Sequence, residues 1–158
     1  MAKQIATRKL PTGFNRWFFR APIFMYQIGL GGLLGQRFLL LNHIGRKSGL
    51  PRQAVVEVVI HEKETNTYFI NAGFGAKTQW LQNLQAQPDV SIQVGWRKWD
   101  VRAEVLTPEE GGEVFRKFCD GKRFAPIYAK ALGFEVDGTL EDYYDMGTQM
   151  IFIALRPR

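Results

Sequence analysis

Between Val90 and Val105 apolar residues recur at every second position. Val90, Ile92 and Val94 alternate with Ser91 and Gln93, and beyond Gly95-Trp96-Arg97 the residues Trp99, Val101, Ala103 and Val105 alternate with Asp100, Arg102 and Glu104. A period of two puts one set of side chains on one face of a strand, whereas a helix would scatter them around its circumference. The segment therefore reads as two strands, each with one buried and one wet face. The same signal recurs upstream. Gln53 to His61 alternates through Ala54, Val56, Val58 and Ile60, while Val55 and Val59 make its other face partly apolar. Glu62 to Asn66 is a polar turn and Thr67 to Ala72 the returning strand. Arg37 to Ile44 is almost wholly apolar, as in a strand buried on both faces. Gln149 to Leu155, closed by Pro157, is a sixth.

Helical signals fall between these strands. Thr78 is the expected N-cap of a short helix that places Trp80, Leu81 and Leu84 on one face and ends before Pro88. Thr107-Pro108-Glu109-Glu110 combines an N-cap, a first-position proline and the glutamate of a capping box, so a helix should run to about Cys119. Phe124 to Leu132 reads as another. Six strands, mostly in antiparallel hairpins, with helices at the start, middle and late part of the chain imply an α+β barrel-like domain. A doubly wound sheet is not expected, because only one strand pair is separated by a helix of crossover length.

With 158 residues, 46% of them hydrophobic, the chain is long enough for one compact domain with a core. A single cysteine, Cys119, excludes an intramolecular disulfide and fits a reducing, cytoplasmic setting; late in a helix, it reads as a small core hydrophobe. His43 and His61 are the only histidines, so no metal site is expected; His43, ending an apolar strand, reads as buried and hydrogen-bonded. Charge is asymmetric. Residues 1–56 carry nine Lys and Arg and no acid, while the remainder carries twelve against fifteen. Such a distribution points to an acidic ligand, an anionic membrane surface or nucleic acid. Nucleic acid is disfavoured, because the aromatics of the first third lie in apolar runs instead of interleaving with cations.

Met1 to Gly13 is polar and reads as mobile. Residues 1–36 form an N-terminal apolar helical region that packs on the barrel or on a membrane, and residues 37–158 form the barrel domain. Within the first region Phe14 to Gly35 is strongly apolar, but only sixteen residues separate Arg20 from Arg37, and Pro22 and four glycines interrupt them. A spanning helix needs roughly 20 apolar residues. Two readings stay open: a helix covering a barrel end, or peripheral membrane contact through residues 14–35.

Gly45-Arg46-Lys47-Ser48-Gly49-Leu50-Pro51-Arg52 joins the first two strands and crowds three cations and a hydroxyl between glycines. Hairpin turns without a task more often use Asn-Gly or Asp-Gly. Charge, hydroxyl and glycine backbone together suit a phosphate or carboxylate, with Arg46 able to bind bidentately and Lys47 acting as a point charge. The alternative is a pair of solvated cations at a hairpin tip. Arg52 could instead pair with Glu57 or Glu104 across strands.

Taken with Leu39-Leu40-Leu41, Gly73-Phe74-Gly75 and Trp80-Leu81-Gln82-Asn83-Leu84-Gln85-Ala86-Gln87-Pro88, that turn resembles the deazaflavin (F420)-dependent nitroreductase and quinone reductase family. The resemblance covers roughly residues 37–106. It implies a six-stranded, mostly antiparallel split β-barrel of the FMN-binding type with flanking helices. It further implies that Arg46, Lys47 and Ser48, with Arg52 nearby, hold the cofactor's phosphate-bearing tail. Ala72, Gly73, Phe74, Gly75 and Lys77 would run along the deazaflavin, and Trp80 and Asn83 would lie beside it.

The activity implied is hydride transfer from reduced coenzyme F420 to a quinone, a nitro compound or an activated enone. FMN stays open as the alternative cofactor, since the loop between Gly75 and Trp80 is shorter than in better-known members. A non-catalytic carrier of a flavin, haem or lipid-like ligand on the same barrel is the alternative function. Tyr128, Tyr143 and Tyr144 are the candidate phenolic proton donors on the substrate side. A small molecule is the expected partner, and a homodimer is left open because split barrels frequently dimerise.

Overall fold

The computed structural model describes residues 2–5 and 21–158. Its centre is a closed barrel of six strands: β2 (Phe38–Ile44), β3 (Pro51–Glu62), β4 (Thr67–Asn71), β5 (Asp89–Val94), β6 (Arg97–Val105) and β8 (Phe152–Pro157). They are ordered β2-β3-β4-β8-β6-β5, and β5 pairs back onto β2. All six neighbouring pairs are antiparallel. Closure leaves no unpaired sheet edge. A separate two-stranded sheet joins β1 (Lys3–Gln4) to β7 (Phe134–Glu135).

Alternation sets the inside of the barrel. Leu39, Leu41, Val56, Tyr68, Ile70, Val90, Ile92, Val101, Ile153 and Leu155 form one buried cluster. Each such side chain taken fully from water contributes about 1.5–3 kcal/mol. The apolar run of β2 is buried on both sides as expected. Leu40 points outward and meets Ile23 and Tyr26 of α1, the helix over residues 21–27. This helix covers the barrel wall at β2 and β3, not a barrel end. Residues 14–20 lie outside the described residues.

In β3 the pairing with β4 shifts between Val58 and Ile60. This bulge turns Val59 toward a second core, which explains why β3 is apolar on both faces. The second core lies outside the barrel and is built by α3 (Pro108–Cys119), α4 (Ala125–Ala131) and α5 (Leu140–Thr148). The Thr107 capping box forms as expected, with Thr107 N donating to Glu110 Oε2 at 2.8 Å and Glu110 N to Thr107 Oγ1 at 3.2 Å.

Two differences from the sequence expectation stand out. Helix α5 occupies residues to which no element was assigned; its signals are the Thr139 cap and the acidic first turn. Gly147, unfavourable in a helix, is there because α3 passes so close. A Cβ at 147 would lie 2.6 Å from Gly111 O and 2.7 Å from Gly112 Cα. At the N-terminus, residues expected to be mobile are tied down. Ala2 is buried in the second core, its carbonyl accepts from Gln149 Nε2 at 2.9 Å, and Lys3–Gln4 pair with β7. Residues 6–13 of that segment lie outside the described residues.

Candidate functional site

The strand registers decide what meets at one end of the barrel. Asn42 faces Ser91, Asn71 faces Phe152 and Val105 faces Ile153. The turn after β2, the segment after β4 and the start of β5 therefore share that end. Helix α2 (Gln79–Ala86) closes it by inserting Leu81 and Leu84 into the barrel core. The remaining groups of interest lie on or beside this helix.

The turn docks directly onto α2. Arg46 donates to Asn83 Oδ1 twice, from its backbone N at 3.0 Å and from Nη1 at 2.9 Å, and its Nη2 donates to Gln79 Oε1 at 3.1 Å. Asn83 is buried, and its Nδ2 lies 3.1 Å from Nδ1 of the equally buried His43. With Asn83 Oδ1 receiving two donors, Nδ2 must donate to His43, so the imidazole is neutral and carries its proton on Nε2. Burial first, and the nearby Arg52 charge second, push the His43 pKa down to about 4. His43 is thus the buried, hydrogen-bonded histidine expected, and it orients Asn83.

The turn's own bonds modify one expectation. Gly45 N donates to Leu50 O, Gly49 N to Gly45 O, and Leu50 N to Ser48 Oγ. The glycine N–H groups therefore shape the turn, with Gly49 at φ 68°, and are not the ones offered to an anion. Ser48 accepts there and keeps its own proton to donate. Lys47, Ser48 and Arg52 are exposed, and Arg52 Nε passes 3.6 Å from the point a Gly45 Cβ would occupy.

The second loop arrives through Gln79, which donates from Nε2 to Lys77 O at 3.3 Å while accepting from Arg46. Gly75–Lys77 is a 3-10 turn, with Gly75 at φ 78° and its N–H on Ala72 O. Thr78 stands at the N-cap position but does not cap. Its hydroxyl donates to Gly75 O at 2.7 Å, because the preceding 3-10 turn brings that carbonyl within reach. The first turn of α2 therefore has neither a side-chain cap nor an acid, which favours an external anion. Ala72 is in the barrel core; Gly73, Phe74 and Trp80 are half-buried, with Trp80 against that core, and Lys77 is exposed.

None of the ion pairs among the described residues involves a cation of the two loops. Arg37 pairs with Glu57, Arg102 and Arg158 with Asp89, Arg116 with Glu113 and Arg156 with Glu104. The carboxylates that could have met Arg52 are thus taken by other arginines. Among the described residues no carboxylate pairs with Arg46, Lys47, Arg52 or Lys77.

The tyrosines are placed elsewhere. Tyr143 is buried in the second core and Tyr128 packs on Phe115, Phe118 and Phe124. Burial foremost, then the neighbouring Cys119, Asp137 and Asp142 groups, raises the Tyr143 pKa. Tyr144 lines an open groove of about 510 Å³ with Glu109, Glu113 and Arg156. The structure groups all three with the α3–α5 layer instead of the cationic turn. Among the described residues no three His, Cys, Asp or Glu side chains are placed to hold a metal ion, and no helix is long and apolar enough to cross a membrane.

Gln79 and His43 were not among the site residues expected. The spacing of Gln79 and Asn83, four apart on α2, puts both amides on one face; this was the available signal for Gln79.

Comparison with known proteins agrees with the residue-level resemblance. The family described as F420H(2)-dependent quinone reductase matches residues 23–130. An F420H(2)-dependent quinone reductase of Mycobacterium tuberculosis H37Rv is 31% identical over 91 residues, which span 52% of this chain and 59% of that relative. Among solved structures, an F420-H2 dependent reductase superposes with a TM-score of 0.52 at 24% identity, covering 77% of this chain and 96% of that one. A pyridoxamine 5'-phosphate oxidase-related, FMN-binding protein from Nostoc punctiforme gives 0.52 at 10% identity, over 94% and 83%. Both likenesses establish the split-barrel fold.

Proposed function

Since the chain belongs to the F420H(2)-dependent quinone reductase family, we propose that it is an oxidoreductase. It binds reduced coenzyme F420 at the α2 end of the barrel and reduces a small oxidised acceptor, a quinone before a nitro compound or an activated enone. The observation that carries this reading is a group of cations without carboxylate partners at one barrel end: Arg46, latched to the uncapped first turn of α2, Lys47 beside it, Arg52 at the start of β3 and Lys77 just before α2.

The donor set fits a long acidic cofactor. Lys47, Arg52, Lys77 and the Ser48 hydroxyl reach solvent, and charge-assisted hydrogen bonds from such groups are about twice as strong as neutral ones. Arg46 is already oriented by Asn83 and Gln79, so binding it costs little further ordering. Half-buried Phe74 and Trp80 offer aromatic surface to a flat ring. When bound, the reduced deazaflavin supplies the hydride, while the protein places the ring and excludes water. Tyr144 lines the open groove on the α3 side and is the candidate donor kept from the three. Cytoplasmic placement, a homodimer and peripheral membrane contact through residues 14–35 belong to the same proposal.

Fluorescence titration with F420 and with FMN tests the cofactor, and quinone-dependent oxidation of F420H2 tests the reaction. Lys47→Ala should weaken F420 binding about 5- to 10-fold, or roughly 1–1.4 kcal/mol, and leave the melting temperature unchanged because Lys47 is exposed. If neither cofactor binds, the reading fails. Binding without turnover would leave a carrier.

A further inference from the structure

The barrel end opposite the cationic turn carries apolar surface that neither core uses. Ile28 is 69% exposed, Leu33 70% and Trp96 72%, with Phe24 and Leu30 also exposed. Phe24 lies on α1; the others come from the stretch linking α1 to β2 and from the tip of the β5–β6 hairpin, and the structure fastens these two segments together. Trp96 Nε1 donates to Gly29 O at 3.2 Å. The indole ring also fills the space beside Gly32, where an added Cβ would stand 2.2 Å from it. Leu33 N donates to Leu30 O and Gly35 N to Gly32 O, which folds the link into a compact turn under the ring. Ile28 N donates to Phe24 O, so those two side chains share a helical face. The indole is thus held in a fixed pose with its polar atom already bonded and its apolar body in water.

Arg37, Arg97 and Lys98 flank these two segments along the chain and are exposed, with the Arg97 guanidinium 6.0 Å from the centre of the Trp99 ring. Of the three, only Arg37 meets a carboxylate among the described residues, Glu57 at 3.7 Å. A contiguous apolar patch marks an interaction site, and the flanking cations select the partner. In a two-fold pairing of identical chains through this patch, the same cations would gather from both copies at one interface. An anionic lipid surface supplies the opposite charge, accepts Trp at headgroup depth and takes up Ile and Leu side chains below it.

We propose that this platform of Ile28, Leu30, Leu33 and Trp96, with Arg37, Arg97 and Lys98, seats the protein on an anionic bilayer. The inference deepens the membrane contact named above and is independent of the cofactor reading. It predicts co-sedimentation with phosphatidylcholine vesicles that contain phosphatidylglycerol, and little with phosphatidylcholine alone. Replacing Arg97→Gln and Lys98→Gln together should lower partitioning about 30-fold at low salt, roughly fivefold per charge, and raised salt should abolish the difference. Brominated lipid should quench the wild-type tryptophan emission, and Trp96→Phe should remove most of that quenching. Leu33→Ser, at an exposed position, should weaken partitioning while leaving the melting temperature and the F420 titration unchanged. Equal binding to neutral and anionic vesicles, no binding by protein that still takes up F420, or a dimer that Leu33→Ser dissociates in light scattering would each overturn the proposal.

Discussion

Acidification should strike this protein first at His43. The imidazole is 6% exposed and its pKa is pushed down from 6.5 to about 4. The unfolded chain therefore takes up a proton on His43 as the pH falls below 6.5, while the folded chain resists until about 4. Stability from this group is fully present above 6.5 and is lost progressively as the pH falls toward 4. At about 1.36 kcal/mol per pKa unit, the loss is about 3 kcal/mol. That is a large part of the 5–15 kcal/mol typical of a domain.

The geometry adds a local consequence. A proton on Nδ1 would face Asn83 Nδ2, donor against donor. Asn83 must then turn its oxygen to His43 and take it away from Arg46 N and Nη1. Urea unfolding of the wild type and His43→Gln, in steps from about pH 7 to pH 4, measures the effect. Contributions of all other groups are common to both proteins and cancel in the difference. The wild type should lose about 3 kcal/mol more than the variant across the window. Parallel profiles, or a His43 proton resonance titrating near 6.5, would refute the reasoning.

Two further outcomes follow from packing. Gly147→Ala gains up to about 1 kcal/mol of helix propensity, but its Cβ would enter the backbone of α3 at 2.6–2.7 Å. Overpacking of this kind costs about 1–3 kcal/mol, so the melting midpoint should fall; an unchanged or raised midpoint would show that α5 can move off α3 freely. Burial pushes the Cys119 thiol up to about 12 from 9.0, and the thiolate is the reactive form. Iodoacetamide should therefore label the native protein roughly a thousandfold more slowly than the unfolded chain, and equal rates would place Cys119 at the surface.

Much of the barrel was legible because period two is a local signal. The β5–β6 hairpin, the burial of Leu39-Leu40-Leu41 on both faces and the Thr107 cap all follow from residues within reach of one another along the chain. Helix α5 was not legible, because Gly147 looks like a helix breaker until α3 is seen to require it. At residues 2–5 the mobile reading failed for a related reason. Lys3 and Gln4 are polar, yet β7 offers them backbone partners 130 residues away.

At the site, the sequence alone determined that a glycine-bracketed cationic turn, a glycine loop and an amide-bearing helix exist, and their order resembled one family. From its residues the turn read as an anion grip, and the resemblance made it the holder of a cofactor tail. Only the tertiary structure decided that Arg46 is latched by Asn83 and Gln79, that His43 sets the direction of Asn83, and that the glycine N–H groups serve the turn itself. It also decided that Tyr128 and Tyr143 belong to a separate core, and that Trp96 lies on the 28–34 turn. The reason is physical. Periodicity and capping are written in neighbours along the chain, whereas hydrogen-bond partnership between strand, turn and helix depends on barrel closure, which brings residues 43, 46, 79 and 83 to one end.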